Sequence, residues 1–479
     1  MGGICDIGIV GLAVMGQNLA LNMAHKGFNV AVFNRTASRT QDFVKERVKD
    51  ETIFPAYEVE EFLSLLAPPR RVMLMVKAGQ PVDDFIQLFA PHLSSGDLIM
   101  DGGNSYYRDT DRRIKEAEGK GFLYLGVGIS GGEHGALHGP SIMPGGHREG
   151  YLLVKDILEK AAAQVEDGPC CTYLGGGSAG HFVKMVHNGI EYAFMQSIAE
   201  CYHLLREVEK LPAPSIGQIF EEWNKSEDLN SYLVEITAQV LQYIDPDTGK
   251  PLVDLILDQA EQKGTGKWAS QVALDLGIPT PTINQSVIAR NLSSFKEERK
   301  RISALFPREE AEKSDALSLH LEKALFLSEL AAFCEGFHML QEASSEFSYN
   351  LNLSEVARIW KGGCILQARL LNRIQEALKE EPGLLFTSPL FLEKVKDYLP
   401  SLRQACTLAL RGGIPVPALS ASLSYFDSWK REWLPANLTQ AQRDFFGAHT
   451  YRRIDREGVF HTIWQRRKRN DFIRKRRCP

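Results

Sequence analysis

Four polar side chains share one face of a strongly apolar segment, HFVKMVHNGIEYAFMQSIAECYHLL. They stand at positions i, i+3, i+4 and i+7, which fall on one side of an α-helix: Lys184, His187, Asn188 and Glu191. An amine, an imidazole and a carboxylate are groups that bind polar ligands and transfer protons. On a mostly buried helix such groups are costly unless they are paired or face a polar cavity. The spacing alone leaves two interpretations open, a solvated face with i,i+4 pairs and a ligand site.

A glycine-containing turn follows the first apolar run, in GIVGLAVMGQNLA. Gly11, Ala13 and Gly16 form the pattern GxAxxG, which lacks the middle glycine of the dinucleotide-binding fingerprint. A strand before the turn and a helix after it are the context in which a helix N-terminus faces a pyrophosphate. The stretch predicts a dinucleotide site, and a purely structural glycine turn is the alternative.

The end of the second apolar run, VAVFNRTASRT, indicates which dinucleotide is bound. NAD-binding proteins usually place Asp or Glu there to contact the ribose 2′-hydroxyl. This chain has Asn34, Arg35 and Thr36 instead, and a guanidinium with a hydroxyl suits a 2′-phosphate. We therefore predict NADP, with an arginine exposed in a loop as the alternative.

Polar segments follow further strand-like runs, at VKAGQPVDD, DGGNSYYRDT and GISGGEHGALHGPSIMPGG. Ligands bind at the carboxyl ends of strands in an open α/β sheet. Asn104 offers an amide there. A hydroxyl and backbone N–H groups for an anion come from Ser130, Gly131 and Gly132.

The third of these segments also holds Glu133, His134 and His138, whose spacing a metal site could use. We predict no metal at this position, because the glycine-rich composition indicates a loop rather than a helix.

Cationic side chains occur in two other places. The segment DLILDQAEQKGTGKWA carries Lys263, Thr265 and Lys267 around two glycines and predicts either an anion-binding loop or a helix C-cap. Isolated cationic side chains, each of which alone fits a surface position, are Arg290, Arg443 and His449.

The elements that must position these residues follow from the hydrophobic pattern. Strands are predicted at ICDIGIV, NVAVF, RVMLMV, DLIMD and LYLGV, with helical segments between them, which is typical of a parallel, doubly wound sheet. After the glycine cluster GGGSAG the pattern has the 3.6-residue period of helices. We predict an α/β Rossmann-type domain at 1–178, a large all-α domain at 179–435, and a C-terminal arm with a basic end at 436–479.

The composition is that of an ordinary globular protein, with 479 residues, 44% hydrophobic, 24% charged and a net charge of −5. The last fifteen residues, QRRKRNDFIRKRRCP (465–479, the basic tail), hold eight Arg or Lys and one Asp, so the rest of the chain is acidic. An acidic body argues against nucleic-acid binding by the main domains. No apolar run reaches membrane-spanning length, and eight scattered cysteines without CxxC spacing favour reduced thiols in the cytoplasm.

Six segments, in order along the chain, resemble the decarboxylating 6-phosphogluconate dehydrogenases, and the likeness runs from about residue 4 to residue 464. They are DGGNS, GISGGE..G...GPS.MPGG, FVKMVHNGIEY, LDQAEQKGTGKW, WKGGCI and AQRDFFGAHTY. The resemblance implies an NADP domain, a helical domain, and a homodimer in which the C-terminal arm reaches the neighbouring subunit. It also implies NADP-dependent oxidation of 6-phosphogluconate at C3, loss of CO₂ and release of ribulose 5-phosphate, a step of the oxidative pentose phosphate pathway.

The resemblance implies a role for each candidate residue, and no metal. Lys184 is expected to be the general base and Glu191 the general acid. The implied substrate-binding residues are Asn104, Ser130, Gly131, Gly132, His187, Asn188, Tyr192, Lys263, Thr265 and Arg290, with Arg443 and His449 from the neighbouring subunit. The implied NADP-binding residues are Gly11, Leu12, Ala13, Val14, Met15, Gly16, Asn34, Arg35, Thr36, Val76, Lys77, Ala78 and Asn104.

Some positions depart from the family pattern. His134 stands where the family usually has Glu, and His138 where an aromatic residue is common. Ala193 and Phe194 replace a usual Gly-Asp pair, and the basic tail replaces a glycine-rich finish. The tail is either a solvated end or a segment that raises the positive potential near two anionic ligands.

Two other functions are alternatives. One is a related β-hydroxyacid dehydrogenase acting on a non-phosphorylated acid, which would have no use for the cationic Lys263, Arg290 and Arg443. The other is a weakly active relative that serves as a binding protein, against which the intact Lys184 and Glu191 argue.

Overall fold

The computed structural model describes residues 4–49, 52–261, 264–307, 309, 311–314, 316–380 and 384–464. Lys263 and the basic tail lie outside the described residues. The chain separates into two compact units, Met1–Leu423 and Ser424–Pro479. The domain boundaries predicted from the sequence at residues 178 and 435 stay predictions.

A seven-stranded sheet, in the order β3-β2-β1-β4-β5-β6-β7, organises the N-terminal part of the first unit. Neighbouring strands from β3 to β6 pair in parallel, and β7 runs antiparallel to β6. The predicted doubly wound sheet is therefore confirmed, and its order changes direction between β1 and β4, where such sheets bind ligands. The strands are Ile7–Val10 (β1), Val30–Phe33 (β2), Ile53–Ala56 (β3), Arg71–Leu74 (β4), Leu98–Asp101 (β5), Leu123–Ser130 (β6) and Ser141–Gly146 (β7).

Helices cover both faces of the sheet, because its strands are apolar along their whole length. Alternate residues of β1 enter different cores: Ile9 packs in one cluster and Val10 in the other. The helices of this part are Val14–His25 (α1), Ala37–Arg47 (α2), Val59–Leu65 (α3), Gln80–Phe89 (α4), Tyr107–Lys120 (α5), Gly132–His138 (α6) and Arg148–Ala161 (α7).

Strands that the sequence pattern did not predict are short or rich in glycine and proline. β3 holds Pro55 and lies at the sheet edge, where a missing N–H is tolerated. β7 has the sequence SIMPGG, which was predicted as part of a glycine-rich loop. A two-stranded hairpin, Gln164–Val165 (β8) and Gly168–Pro169 (β9), precedes the helical part.

Helices make up the rest of the first unit, as predicted, and no described helix is long and apolar enough to cross a membrane. The longest are α8 and α14, which pack together through a buried hydrogen bond of 2.7 Å between Ser197 and Ser328. The helices are Ala179–Glu207 (α8), Ala213–Trp223 (α9), Tyr232–Gln242 (α10), Thr265–Asp275 (α11), Pro281–Ser293 (α12), Lys296–Ser303 (α13), Leu317–Glu346 (α14), Leu353–Ile359 (α15), Leu370–Glu380 (α16) and Pro389–Arg411 (α17). Pro417–Trp429 (α18) begins in the first unit and ends in the second.

Two buried carboxylates fix the starts of α12 and α18. Glu335 accepts hydrogen bonds of 2.9 and 3.0 Å from the backbone N–H groups of Thr282 and Ile283 in the first turn of α12. Glu200 accepts two of 2.9 Å from Ala418 and Leu419 in the first turn of α18. Each carboxylate satisfies N–H groups that a helix start leaves unpaired.

The second unit contains Ala436–Gly447 (α19) and a following loop closed by the pairing of Tyr451 with Phe460. Asp444 is fully buried and accepts hydrogen bonds from His461 Nδ1, the backbone N–H of Thr462 and Trp464 Nε1, at 2.8, 3.0 and 2.8 Å. These donors outweigh the effect of burial and hold the pKa of Asp444 at about 2. The carboxylate therefore joins the helix to the loop that follows it.

Candidate active site

Glycines of β6 and β7 let the helix that carries the polar face approach the sheet closely. A Cβ on Gly128 would lie 2.5 Å from the Cβ of Lys184, and a Cβ on Gly145 would lie 2.3 Å from the backbone N of Gly180. Any other residue would push α8 away from the strands. The first turns of α8 are thus fixed against the carboxyl-terminal half of β6.

The four polar residues of α8 face inward and form a connected group. His187 Nδ1 lies 3.4 Å from Lys184 Nζ and 3.7 Å from a Glu191 carboxylate oxygen. The same nitrogen lies 3.1 Å from Asn188 Oδ1, and Nε2 lies 3.2 Å from Ser130 Oγ. A neutral imidazole with its proton on Nδ1 satisfies both of these bonds, because it donates to the amide and accepts from the hydroxyl.

Burial perturbs the protonation of all three titratable members of the group. It lowers the pKa of Lys184, against the attraction of Glu191 and Cys364, and raises the pKa of Glu191, against Lys184 and Arg290. It also lowers the pKa of His187 to well below its ordinary value, an effect that the neighbouring lysine adds to. The shifts disfavour charge on each group, and a neutral amine can accept a proton while a protonated carboxyl can donate one. Lys184, His187 and Asn188 are buried, which excludes a solvated face.

The loop after β6 borders this group. Gly131 has a φ of +118°, and a Cβ there would lie 2.6 Å from the carbonyl oxygen of Gly363. Gly132 has a φ of +60° and is exposed. The backbone therefore turns sharply beside the Ser130 hydroxyl, with glycine needed for both its conformation and its clearance.

The start of α11 lies on the other side of Asn188. The Asn188 amide donates a hydrogen bond of 2.9 Å to Thr265 Oγ1, and Thr265 is the first residue of α11. Gly264 precedes the helix with a φ of +97°. The segment GTG therefore starts a helix, so the alternative of a helix C-cap was wrong, and the positive end of the helix dipole is directed at the site.

Tyr192 follows Glu191 directly in the chain. The guanidinium of Arg290 packs over the Tyr192 ring, with Cζ 3.5 Å from the ring centroid. A Cβ on Gly266 would lie 2.4 Å from the Tyr192 ring, so the first turn of α11 also fixes this tyrosine.

Asn104 is exposed in the loop after β5. The next residue, Ser105, anchors this loop, because its hydroxyl donates a buried hydrogen bond of 2.6 Å to the Asp101 carboxylate.

Two residues that the motif analysis did not assign to the site border it. Trp360 is fully buried, with its ring edge-on to the His187 imidazole at 5.5 Å between centroids. Cys364 lies close enough to Lys184 for each to shift the pKa of the other, although burial dominates and raises that of the thiol to about 12. Both belong to WKGGCI, so the motif itself was the available signal.

A cavity of about 470 Å³ lies at the carboxyl ends of β1, β2 and β4. Gly11 there has a φ of +96°, and a Cβ on Gly16 would lie 1.9 Å from the Gly11 carbonyl oxygen. Both glycines are therefore required, as in a dinucleotide-binding turn, and the first turn of α1 carries no acidic residue. The described lining residues are Gly11, Ala13, Asn34, Arg35, Thr36, Arg39, Met75, Val76, Lys77, Pro81 and Phe85.

Asn34 and Arg39 refine the prediction for the adenosine end of this cavity. Asn34 Oδ1 accepts a hydrogen bond of 3.1 Å from the backbone N–H of Leu12, so the amide joins the turn to β2. Arg39, four residues beyond Arg35, also lines the cavity and was not predicted from the sequence. The described lining contains three cations and no carboxylate, a charge pattern that suits a phosphate on the ribose.

The segment that follows Gly131 is a helix, α6, rather than the predicted loop. His134 and His138 are exposed on it, with ring centroids 4.4 Å apart. The reason given for expecting no metal there was therefore wrong. No group of three or more His, Cys, Asp or Glu that could hold a metal occurs among the described residues.

Arg443 and His449 belong to the second unit. Arg443 lies on α19, where its guanidinium donates a hydrogen bond of 3.1 Å to Gln440 Oε1, and His449 follows the helix with its ring 5.8 Å from that of Phe446. Both are exposed. They are available to another molecule, and their assignment to the substrate site stays a prediction.

Comparison with known proteins gives a consistent result over nearly the whole chain. Residues 6–175 match the NAD binding domain of 6-phosphogluconate dehydrogenase, and residues 180–464 match the 6-phosphogluconate dehydrogenase C-terminal domain. The NADP(+)-dependent decarboxylating 6-phosphogluconate dehydrogenase of Bacillus subtilis is 50% identical over 467 residues, which cover 96% of this chain and 99% of that protein.

Two further relatives bear on cofactor and fold. The NAD(+)-dependent decarboxylating 6-phosphogluconate dehydrogenase of Bacillus subtilis is also 50% identical, over 465 residues, with coverage of 96% and 99%. The Plasmodium falciparum 6-phosphogluconate dehydrogenase, solved in apo form and in complexes with NADP+ and 6-phosphogluconate, has a TM-score of 0.93 and 46% identity, with coverage of 96% of this chain and 100% of that one.

Proposed function

The chain belongs to the decarboxylating 6-phosphogluconate dehydrogenase family, and from this premise we propose that it converts 6-phosphogluconate and NADP to ribulose 5-phosphate, CO₂ and NADPH. One observation carries the proposal: the buried Lys184 and the partly buried Glu191 share one helix face, and their pKa values are shifted in opposite directions. An amine whose pKa is lowered and a carboxyl whose pKa is raised are the kind of base and acid that an oxidation followed by a tautomerisation requires.

Lys184 acts first, as a general base. Its neutral amine takes the proton of the C3 hydroxyl as the C3–H bond breaks. NADP, when bound, supplies the hydride acceptor. The product of this step is a 3-keto acid, in which the C1 carboxylate is β to the ketone, and the lysine is now an ammonium that stabilises negative charge on the C3 oxygen.

Decarboxylation and protonation complete the reaction. The C1–C2 bond breaks, its electron pair forms an enolate with the C3 oxygen, and CO₂ leaves while Lys184 returns a proton to that oxygen. Glu191 then protonates the terminal carbon of the enediol while the Lys184 amine takes back the proton of the C3 hydroxyl, which gives ribulose 5-phosphate. No metal is needed, because the ketone accepts the electron pair.

The groups around the acid and base would position the substrate. Ser130, the backbone N–H groups of Gly131 and Gly132 and the Asn188 amide suit the carboxylate and hydroxyls of a sugar acid. The start of α11 and the Arg290 guanidinium suit an anion. Asn104, His187, Tyr192 and Thr265 complete the proposed set within the first unit, together with Lys263.

The cavity at the sheet edge supports NADP as the preferred dinucleotide. Relatives of each cofactor preference are equally identical to this chain, so identity alone does not decide between them. The lining favours NADP, since Arg35, Arg39 and Thr36 offer charge and hydrogen bonds to a 2′-phosphate and no described lining carboxylate competes. The stretch from Gly11 to Gly16, with Val76, Lys77 and Ala78, would hold the rest of the cofactor.

We further propose a homodimer whose second unit completes the partner's site with Arg443 and His449. The second unit exposes large apolar side chains, among them Phe446 with 72% and Ile463 with 81% of its surface exposed. Exposing apolar surface to water is unfavourable, so such side chains indicate a contact with another molecule. Light scattering tests the assembly: a mass of twice 53.6 kDa is expected, and a monomer at micromolar concentration would exclude it.

The state of the cysteines agrees with the cytoplasmic location predicted from the sequence. The cysteines within the described residues, seven in number, are all buried and free. A protein that keeps so many unpaired thiols suits the cytoplasm, where disulfides are rare.

The activity is tested by following NADPH and CO₂ together in the full-length protein. With 6-phosphogluconate and NADP, equal amounts of both products are expected, and a β-hydroxyacid without phosphate should give neither at a comparable rate. Faster turnover of the non-phosphorylated acid would instead identify the related β-hydroxyacid dehydrogenase, and no turnover of either would leave a binding protein.

A further inference from the structure

α6 presents two imidazoles on one side of a single helical turn. His134 and His138 are separated by four residues, so their side chains are neighbours on the helix surface. Both residues are exposed, and their ring centroids are 4.4 Å apart with 42° between the ring planes. Neither residue belongs to the proposed catalytic machinery.

We propose that His134 and His138 chelate one divalent transition-metal ion of the kind that imidazole prefers, such as Ni²⁺, Cu²⁺ or Zn²⁺. Metal–nitrogen bonds of about 2.0–2.1 Å require the two nitrogens to lie roughly 3 Å apart. Rings whose centroids are 4.4 Å apart reach that spacing by side-chain rotation alone. Water completes the coordination, since the part of the chain that the structure describes holds no group of three or more metal-binding side chains.

The backbone of α6 is already held in place, which favours chelation. Asn18 of α1 donates a hydrogen bond of 3.0 Å to the carbonyl oxygen of Glu133, and Asn22 donates one of 3.1 Å to that of Ala136. The helix therefore needs no reorganisation to present both imidazoles, and the cost of ordering the ligands is small. The same bonds hold α6 against α1. The metal would therefore bind to a helix that follows Gly131 in the chain and packs on α1.

Calorimetric titration of the full-length protein with NiCl₂ tests the proposal, with Ni²⁺ chosen because thiols compete less for it than for Zn²⁺. The wild type is expected to bind one Ni²⁺ per chain at this site. His134→Gln and His138→Gln should each weaken binding by about 10- to 100-fold or more, and the double variant should lose less than the sum of the two single losses, because either substitution alone already breaks the chelate. His92→Gln, at an exposed histidine three residues beyond the end of α4, is the matched control and should bind as the wild type does.

The pattern of losses decides between a chelate and separate imidazoles. Thermal melts without metal should be the same for all variants, and Ni²⁺ should raise the melting temperature of the wild type and of His92→Gln only. Unaltered affinity in the single variants, losses that add in the double variant, or the absence of a site in the wild type would each overturn the proposal.

Discussion

The chemistry of the site depends on one crowded set of side chains. His187 Nδ1 lies 3.4 Å from Lys184 Nζ and 3.7 Å from a carboxylate oxygen of Glu191. Burial disfavours charge on each of them, so the lysine becomes a usable base and the glutamate a usable acid without any metal. His187 stays neutral and so adds no charge that would oppose proton transfer between the two.

Cofactor choice is also decided at single residues. Arg35→Asp is expected to weaken NADP binding by about 10- to 100-fold, because a charged hydrogen bond of about 1.5–3 kcal/mol is replaced by repulsion. NAD binding should change little. Fluorescence titration with each dinucleotide measures both constants. Lys45→Asp is the matched control, since it makes the same charge change on α2 away from the cavity lining; equal losses for NADP and NAD would show that Arg35 does not contact the 2′-phosphate.

At the scale of elements, the approach of α8 to β6 sets the position of the base. Gly128→Ala places a methyl group only 2.5 Å from the Cβ of Lys184, so the helix must shift. A displacement of about 1 Å can cost roughly 10²-fold in rate, and we expect kcat to fall by that order with NADP affinity retained. Steady-state kinetics measure it, against Gly119→Ala on α5, where a Cβ meets nothing within 4 Å. Equal rates in the two variants would mean that the approach is not needed.

The buried helix caps make stability depend on pH. Burial raises the pKa of Glu200 and Glu335 to about 7, despite the N–H groups that lower it. A folded pKa above the unfolded value of 4.5 gives stability that is full below pH 4.5 and is lost as pH rises through 7. The loss is roughly 3 kcal/mol for each group.

Glu335→Gln removes one of these titrations. We expect the variant to lose less free energy of unfolding than the wild type between pH 5 and pH 8, although losing a cap bond lowers its stability at pH 5 by about 1 kcal/mol. Urea unfolding at each pH measures the difference, and Glu346→Gln, at an exposed position of the same helix, should follow the wild type. Parallel curves for Glu335→Gln and the wild type would contradict the assignment.

Periodic elements were predictable from the sequence, whereas elements made by long-range packing were not. The polar face of α8 has the 3.6-residue period of a helix, and β1, β2, β4, β5 and β6 are short apolar runs typical of strands buried on both faces. The segment from Gly131 to Gly146 has no such pattern, because its glycines serve contacts with Gly363, Gly180 and Tyr124 that exist only in the folded chain. Arg39 was missed for the same reason, since only the direction of α2 brings it to the cavity.

At the scale of the whole molecule, the proposed site needs two chains. Mixing Lys184→Ala with Arg443→Ala, each nearly inactive alone, and allowing subunits to exchange should restore activity. In a mixed dimer, one site combines the intact Lys184 of one chain with the intact Arg443 of the other. Restored activity of up to one site per mixed dimer is expected in a steady-state assay; no recovery after confirmed exchange would mean that each chain builds its site alone.

The central claim is that the Lys184 amine removes the C3 proton, and amine rescue of Lys184→Ala tests it most directly. The variant is expected to lose about 10²- to 10⁴-fold in turnover while its NADP affinity changes little. Small alkylamines should then restore part of the NADPH formation in proportion to the concentration of their uncharged form, because a free amine can occupy the vacated space and take the proton. Near-full activity of the variant at neutral pH, or a loss that no amine relieves together with a matching loss of NADP binding, would contradict the account.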